Sequence, residues 1–420
     1  MKVFKFGGAS VKDAAGIKNV SDIIRRFGDE KTLVIVSATG KTTNALEEVV
    51  YAYFNKTGEA KAKFDAIKDN HIRICKDLFG ESENPVYDQL QNLFVELEWQ
   101  LEEERLDSFN YVYDQIVSVG ELLSSVILSH YLNYAGVKNE WLDVRDVLKT
   151  DDTYREAVVN WPESTEKIQE IVVPMLRRNT VVSQGFIGST PDNCTTTLGR
   201  EGSDYTAAIF ANILDAESQT IWKDVPGVMS GDPRKFQDAV FLDELTYLEA
   251  VEMTFYGASV IHPKTIKPIQ NKNIPLLVKS FINPEGKGTK VYGATHTIKY
   301  PPVRVVKEQQ ALLTFHTKDF SFVADETVSE LLSAFAAANL KINMIQTGAI
   351  SLQAVVDNSQ DKISKVKAAL EGTFNVHEED GLTILTIRHY TDEVIEKHLE
   401  GKNVILTQKR PSTFQALITK

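Results

Sequence analysis

Apolar and polar positions alternate along KVFKF (2–6), and the chain then meets Gly7-Gly8. Ile17, Val20, Ile23, Ile24 and Phe27 follow at helical spacing. TLVIVSA (32–38) is a continuous apolar run, the pattern of a strand buried on both faces. TVVSQGF (180–186), QTIW (219–222) and PLLVKS (275–280) share that character, with helical patterns between them, notably over 120–134, 204–214 and 245–256. Strands alternating with helices predict an α/β fold, a mostly parallel sheet covered by helices on both faces. Ligands of such sheets bind beyond the carboxyl ends of the strands. Residues of about 45–175 are mostly helical in pattern and rich in Glu, Gln and Asn, which predicts a helical insertion or lid. The charged run from Glu102 to Arg105 reads as a solvated helix face.

The pattern changes near 285–303, where GKGTKVYG and Pro301-Pro302 punctuate the chain. QALLTFH (310–316) reads as a strand, and Val328, Leu331, Leu332, Phe335 and Ala336 as a helical stripe. Two strands around Gly348, a helix at DKISKVKAAL and a strand at TFNVH complete a βαββαβ, ferredoxin-like unit over 303–378. GLTILTIR, a helix over 391–400, VILTQKR and TFQALI restart the same order over 379–420, without the last helix and strand. The tail therefore reads as one complete unit and one truncated copy.

The chain has 420 residues, too many for one ordinary core, so at least two domains are expected. Its formal charge of −12 argues against a nucleic-acid binder, which needs a basic face. An acidic protein that binds a polyphosphate must concentrate its lysines and arginines locally. Two distant cysteines, Cys75 and Cys194, make neither a disulfide framework nor a metal site. MKVFKFGGAS lacks a signal-peptide core, and no run approaches the roughly 18 apolar residues of a membrane span. These features predict a cytoplasmic protein without nucleic-acid or membrane partners.

KFGGAS (5–10) is a strand running into two glycines and a helix. Glycines let backbone N–H groups approach a phosphate closely, and the strand-end Lys5 can reach a transferring phosphoryl group. TGKTT (39–43) resembles the end of a Walker A loop, but Ile35 stands where that loop needs glycine. No GxGxxG opens a helix after a strand, so the nucleotide site is neither a P-loop nor a dinucleotide fold. VSATGKTTNAL (36–46) places hydroxyls at a strand end, with Thr43 or Asn44 as the expected helix cap. In SVGELLSS (118–125), Glu121 lies near a helix start, as a dipole-favoured residue or as an anion for an α-ammonium. TTTLGREGSDYTAAIFA (195–211) is the most informative run. Arg200 offers a fork for a carboxylate, Ser203 or Asp204 caps the helix, and Asp204 can orient lysines around a phosphoryl group. In IWKDVPGVMSGDPR (221–234), Lys223, Asp224 and Arg234 can frame a base, ribose and phosphates. In TYLEAVEMTFYGASVIHPKTIKP (246–268), Lys264 is a candidate phosphate cation. No Asp/Glu/His cluster has metal-ligand spacing, so Mg²⁺ is expected to be held mainly by the phosphates and water.

In order and spacing, KFGGAS, VSATGKTTN, the Gly-Glu pair, TTLGREGSDYTAA, DVPGVMSGDPR and YGASVIHP resemble the motifs of the aspartokinases, and the resemblance covers essentially the whole chain. It implies an amino-acid-kinase domain over 1–295 followed by ACT-type regulatory modules. It implies transfer of the ATP γ-phosphoryl group to the β-carboxylate of L-aspartate, the first step to lysine, threonine and methionine. By resemblance, Lys5, Gly7, Gly8 and Ser10 contact ATP, and Asp204 organises the active-site lysines. Thr43, Glu121, Arg200 and Ser203 bind aspartate, with Arg200 on its α-carboxylate. Lys223, Asp224, Met229 and Arg234 line the nucleotide. The carboxylate is already ionised at neutral pH, so no strong general base is needed. Phe320, Asn343 and Thr347 fall at effector positions, and a homodimer or larger assembly through the ACT-like region is implied.

Several positions depart from the family pattern. Ala9 replaces a threonine, Glu201 adds a negative charge, and Met229 replaces an aromatic residue. Ser259 replaces a phosphate-binding lysine, and Lys264 is the expected substitute. Asp319 replaces a glycine and Gly348 a serine. The competing readings are another carboxylate kinase, for glutamate or acetylglutamate, and a catalytically weak amino-acid sensor. The length and the missing dinucleotide motif speak against a bifunctional aspartokinase–homoserine dehydrogenase.

Overall fold

The structure, a computed structural model, describes residues 1–29, 31–80, 83–102, 108–258, 261–319 and 321–419. Arg105, Ser259 and Phe320 of the expectations above lie outside the described residues. The chain divides into two compact units. The first comprises Met1–Val228, Leu242–Val251 and Val260–Ile298, and the second Met229–Phe241, Glu252–Ser259 and Lys299–Lys420.

The first unit is built on an eight-stranded sheet. Its strands run in the order Glu244–Thr246, Thr289–Tyr292, Leu276–Ser280, Ser218–Lys223, Lys2–Phe6, Thr32–Val36, Thr180–Gln184, Asn139–Leu142. Every pairing from Leu276–Ser280 to Asn139–Leu142 is parallel, and Thr289–Tyr292 runs antiparallel to Leu276–Ser280. Thr32–Val36 is buried at every residue, which is why it reads as an unbroken apolar run. The first strand lies between Thr32–Val36 and Ser218–Lys223. Strand order reverses around it, so a crevice opens at its carboxyl end.

The helices predicted over 45–175 form a wall of the core rather than an appendage. Ala60–Phe79, Val86–Glu102 and Val119–Tyr134 bury Phe64, Ile74, Leu90, Phe94 and Val126 in one cluster with Phe4, Phe6 and Trp222 of the sheet. Their large apolar faces find no burial except against that sheet face. Within this region Asn139–Leu142 forms an edge strand. Four residues carry too little periodicity to announce themselves. The stretch Phe109–Tyr134 corrects another expectation, since it is long and apolar enough to cross a membrane. Of its most apolar 18-residue window, 94% is buried inside the protein, the condition of a helix that is apolar all round in a large core.

The second unit is a six-stranded antiparallel sheet, ordered Ile342–Thr347, Ser351–Asp357, Val303–Thr317, Phe374–Arg388, Thr413–Ile418, Val404–Arg410. Residues 310–317 and 374–378, with the helices Asp325–Ala337 and Gln360–Leu370, make the expected ferredoxin-like unit. The position 378/379, expected to separate the two copies, falls inside Phe374–Arg388. The copies share both 15-residue strands. The strands pass from one copy to the next at a bulge between Lys307 and Leu312, where Gln309 and Gly381 adopt positive φ. The second copy is truncated in sequence, and its fourth-strand position is filled from upstream. Val303–Lys307 pairs antiparallel with 384–388. Phe236, brought from a distant segment, packs with Leu385, Ile387, Phe414, Ala416 and Ile418 on that copy.

Candidate functional site

The site forms in the first unit, at the carboxyl end of the central strand. Side chains alternate along Lys2–Phe6. Phe4 and Phe6 enter the core beneath the helical wall, and Lys5 turns to the opposite face. There its Nζ lies 2.6 Å from Oδ1 of Asp204. The Nζ of Lys223, at the end of the neighbouring strand, lies 3.8 Å from Oδ2. Lys5 is 7% exposed and Asp204 1%. Among the described residues the two lysines are its charged partners, and the Glu201 side chain adds to their hold on the carboxylate. Burial works against its ionised form, and the ammonium of Lys5, then that of Lys223, overrides it and keeps the carboxyl below its ordinary range.

Gly7 leads into a short helical turn, Gly8–Val11. Gly8 is required by packing, because a Cβ there would lie 2.5 Å from the Ala38 carbonyl and 2.8 Å from that of Gly40. The two loops are also tied by the Gly40 N–H donating to the Gly8 carbonyl at 3.0 Å. Ser10 is fully buried and its hydroxyl donates to the Gly7 carbonyl at 2.6 Å, so it braces the loop from within.

Glu121 stands in the first turn of Val119–Tyr134, 2% exposed. Its Oε1 accepts from the Ala38 N–H at 3.4 Å, and its Oε2 has no hydrogen-bond partner among the described residues. Burial pushes the carboxyl up to about 8, against the pull of backbone N–H groups and of the Lys5 charge. A buried, half-satisfied carboxyl beside a lysine is the arrangement that receives a cationic group.

Two capping expectations are corrected. The helix Thr42–Phe54 starts one residue before Thr43, with Lys41 at the cap position and no side-chain cap bond. Thr43 and Asn44 therefore sit in the first turn. Likewise Gly202–Ile213 is capped by Glu201 in a left-handed conformation (φ 56°), again without a side-chain bond. Ser203 and Asp204 fall inside that helix, both buried, where the positive end of the helix dipole favours the Asp204 charge. Arg200 is exposed just before the turn. Lys264 opens the Pro263–Gln270 helix, and its Nζ donates to the Leu198 carbonyl at 3.4 Å. It lies at the root of the loop that carries Arg200. His262 caps the same helix by accepting from the Lys264 N–H, a structural role.

Asp224 is exposed beyond Lys223. Met229 and Arg234 belong to the second compact unit, where Arg234 is exposed and pairs with Asp232 at 2.8 Å. Asn343 and Thr347 also lie in the second unit. Asn343 is engaged by Lys307, Gln310 and Asp357 at 2.7–3.0 Å, and Thr347 is exposed.

Sequence reasoning missed Asp114. It is fully buried and accepts from the Thr197 N–H and hydroxyl and from the Arg155 N–H, at 2.7–2.9 Å. Burial raises its carboxyl to about 6 despite those bonds. Gln115 clamps Thr195 from both sides, donating to its carbonyl at 2.8 Å and accepting from its N–H at 3.3 Å. The pair fixes the strand that feeds Arg200. A lone Asp-Gln dipeptide inside an apolar helix carried no signal of this. Gly185 was also missed. Its missing Cβ lets the chain approach Ser203, whose Cβ would otherwise lie 2.5 Å away.

A strand-end lysine, a second lysine and a buried aspartate bridging them, beside a glycine turn, have the charge and geometry to hold a transferring phosphoryl group at the end of an open parallel sheet. Residues 1–280 match the profile of the amino acid kinase family. Lysine-sensitive aspartokinase 3 of Escherichia coli is 33% identical over 357 residues, which cover 85% of this chain and 78% of that protein. A chloroplastic bifunctional aspartokinase/homoserine dehydrogenase 1 of Zea mays is 36% identical over 295 residues, covering 69% of this chain but 32% of that protein. The crystal structure of E. coli aspartokinase III with aspartate and ADP matches 100% of this chain and 96% of its own, at 29% identity and a TM-score of 0.84. The aspartate kinase of Clostridium acetobutylicum shares the fold, at 22% identity and a TM-score of 0.80. The chain belongs to the amino acid kinase family, and within it to the aspartokinases.

Proposed function

We propose that the chain is an aspartate kinase that forms 4-phospho-L-aspartate from L-aspartate and ATP. The observation that carries this reading is the Asp204 carboxylate held between Lys5 and Lys223, with the buried Glu121 close enough to feel the Lys5 charge. Gly7, Gly8 and Lys5 receive the β- and γ-phosphates, and Lys264 supplies the cation that Ser259 does not. Asp224, Met229 and Arg234 are assigned to the nucleotide by family resemblance. Arg200 and Ser203 take the α-carboxylate of aspartate, and Thr43 and Glu121 its α-ammonium end. An oxygen of the β-carboxylate attacks the γ-phosphorus in line. The bond from that phosphorus to the bridging oxygen of ADP breaks, and ADP departs with the electron pair. No proton moves, which agrees with a site that orients lysines and offers no paired base.

Magnesium fits as an ion carried by the triphosphate. Among the described residues no three His, Cys, Asp or Glu side chains converge to hold one. Bound there, it neutralises charge on the transferring group. We assign residues 1–295 to catalysis and 303–420 to two ACT-like modules, and infer a cytoplasmic homodimer or larger assembly through the latter. The edge strand Ile342–Thr347 leaves one side of its backbone unpaired for such a contact.

The test is hydroxylamine trapping of the acyl phosphate with ATP and, separately, aspartate, glutamate and acetylglutamate. Aspartate alone is expected to yield hydroxamate. Product from glutamate or acetylglutamate instead moves the chain to another carboxylate kinase, and no product from any acceptor makes it a sensor.

A further inference from the structure

Asp114 shares a support with Glu121. The helices Phe109–Val117 and Val119–Tyr134 follow one another across Ser118, a buried residue in right-handed helical geometry. The Ser118 N–H donates to the Asp114 carbonyl at 3.4 Å, and the Ser118 carbonyl accepts from the Glu121 N–H at 3.2 Å. Asp114 and Glu121 therefore ride on nearly one rod, about two turns or roughly 10 Å apart.

From the Asp114 carboxylate two ties run toward Arg200. One passes through Thr197, whose N–H and hydroxyl donate at 2.8 and 2.7 Å. The other passes through the Arg155 N–H, which donates at 2.9 Å. Arg155 holds a left-handed backbone (φ 72°), which costs free energy in any residue but glycine and persists only where its surroundings fix it. Its guanidinium lies over the rings of Tyr113 and Phe109, at 4.4 and 5.6 Å from their centroids, so this segment is fastened to the same helix as Asp114. The Arg155 carbonyl packs on Gly199, where a Cβ would lie 3.0 Å from it. Both ties thus end beside Arg200. The donors come from two separate segments, and an ionised carboxylate answers them because it offers acceptors alone. Burial raises the Asp114 carboxyl to about 6 despite these bonds and the charge of Arg155. A fold that needed only the volume filled would not keep a charge there.

We propose that Asp114 is a positioning residue for the acceptor: it holds Arg200 at the distance from Glu121 that fits one α-amino-acid head group. This rests on the assignment of Arg200 to the α-carboxylate and Glu121 to the α-ammonium. Asp114 is fully buried, so it acts through its ties rather than by touching substrate. The ties run through Thr197, Arg155 and Gly199 and bypass Lys5, Asp204 and Lys223. Loss of Asp114 therefore acts on acceptor affinity and spares the nucleotide. A shift of a few tenths of an ångström in the Arg200 loop is enough to spoil a two-point grip on a rigid head group.

The test is calorimetric titration of the full chain with L-aspartate at saturating β,γ-imido-ATP and magnesium. It is run on the wild type, on Asp114→Asn, on Thr197→Val, and on each variant combined with Arg200→Gln. Asp114→Asn is expected to weaken aspartate about tenfold, the scale of a hydrogen bond to a charged group, and Thr197→Val, which removes one donor and keeps the charge, about threefold. In the Arg200→Gln background each change is expected to cost no more than about twofold further, because the group it positions is gone. Binding of β,γ-imido-ATP is expected to stay at the wild-type level throughout. A merely structural role would weaken nucleotide and aspartate together, or would multiply in full with Arg200→Gln. Either result overturns the proposal, as does undiminished affinity for aspartate in both variants. Thr197→Val carries the test if Asp114→Asn does not fold. A wild type that binds no aspartate overturns the acceptor assignment itself, and this inference with it, before any variant is compared. Normal binding by the wild type with an unaltered Asp114→Asn overturns the inference alone.

Discussion

The carboxyl end of the first unit's parallel sheet and the bulge of the second unit's antiparallel sheet treat their polar side chains in opposite ways. At the end of the parallel sheet, the Asp204 carboxylate is met by the ammonium groups of Lys5 and Lys223, and among the described residues Glu121 Oε2 has no hydrogen-bond partner, although both carboxyls are almost fully buried. At the bulge of the antiparallel sheet, Lys307, Gln310, Asn343 and Asp357 close on one another. Lys307 reaches Asp357 at 2.7 Å and Asn343 at 3.0 Å, and the Asn343 amide donates to Gln310 and Asp357. Unsatisfied buried groups are costly, and a fold keeps them where a ligand completes them. A closed network holds the chain itself. By this criterion the first unit carries the chemistry, and the residues around Asn343 in the second are braced.

The sharpest way to break the comparison is to remove the buried charges. Lys5→Met and Asp204→Asn are each expected to lower kcat by roughly a thousandfold, the scale of losing a preorganised charge at the transferring group. Release of ADP in the presence of aspartate measures it. A loss below about tenfold in both variants would show that the pair is structural. Next in size is Glu121. Its carboxyl ionises at about 8, so at neutral pH it must give up a proton before it can receive an α-ammonium. The KM for aspartate is therefore expected to fall as pH rises, roughly tenfold per unit below about 8, and to level off above it. Glu121→Gln is expected to raise this KM about thirtyfold and to flatten the profile. A profile that stays steep in the variant assigns the titration to another group.

Much of this was legible because local grammar and site coincide. KVFKF followed by two glycines fixes both a strand end and the side to which Lys5 points. GREGSD brings Asp204 into a helix start. What stayed hidden depends on long-range partners. Asp114 acquires meaning only from Thr197 and Arg155, tens of residues away. The strand 303–307 reads as a prelude to the first module, yet it pairs with 384–388 and completes the second. Met229 and Arg234 sit in a motif that resembles a nucleotide loop, but their compact unit is decided by packing such as Phe236 on Phe414, which no local pattern records. Cap positions were misjudged by two or three residues, because Lys41 and Glu201 take the cap sites with backbone geometry alone.

Lys264 tests a position between these extremes. It is exposed and its ammonium makes one long hydrogen bond, to the Leu198 carbonyl, among the described residues, so its loss should cost little stability. If it replaces the phosphate cation absent at Ser259, Lys264→Ala is expected to raise the KM for ATP about tenfold and leave that for aspartate within about twofold. Unchanged ATP kinetics would remove Lys264 from the nucleotide.

The smallest expected effect lies in the closed network. Burial opposes the Asp357 charge, but Lys307 and the Gln310 and Asn343 amides prevail and hold its carboxyl below the ordinary range. A depressed carboxyl adds stability above its unfolded value, about 4, and that stability is lost as pH falls through the lower folded value. Lys307→Met is therefore expected to lower the unfolding free energy slightly at neutral pH, by no more than about 1 kcal/mol given how exposed the pair is. It is also expected to shrink the difference between midpoints measured at neutral and acid pH. Turnover should be unchanged, because no group of the phosphoryl-transfer site is touched. Free lysine gives the complementary probe, since the ammonium of Lys307 already occupies Oδ1 of Asn343. If millimolar lysine slows the wild type, and Lys307→Met changes that response, the network opens to ligand and the contrast between the two sheets fails at Asn343.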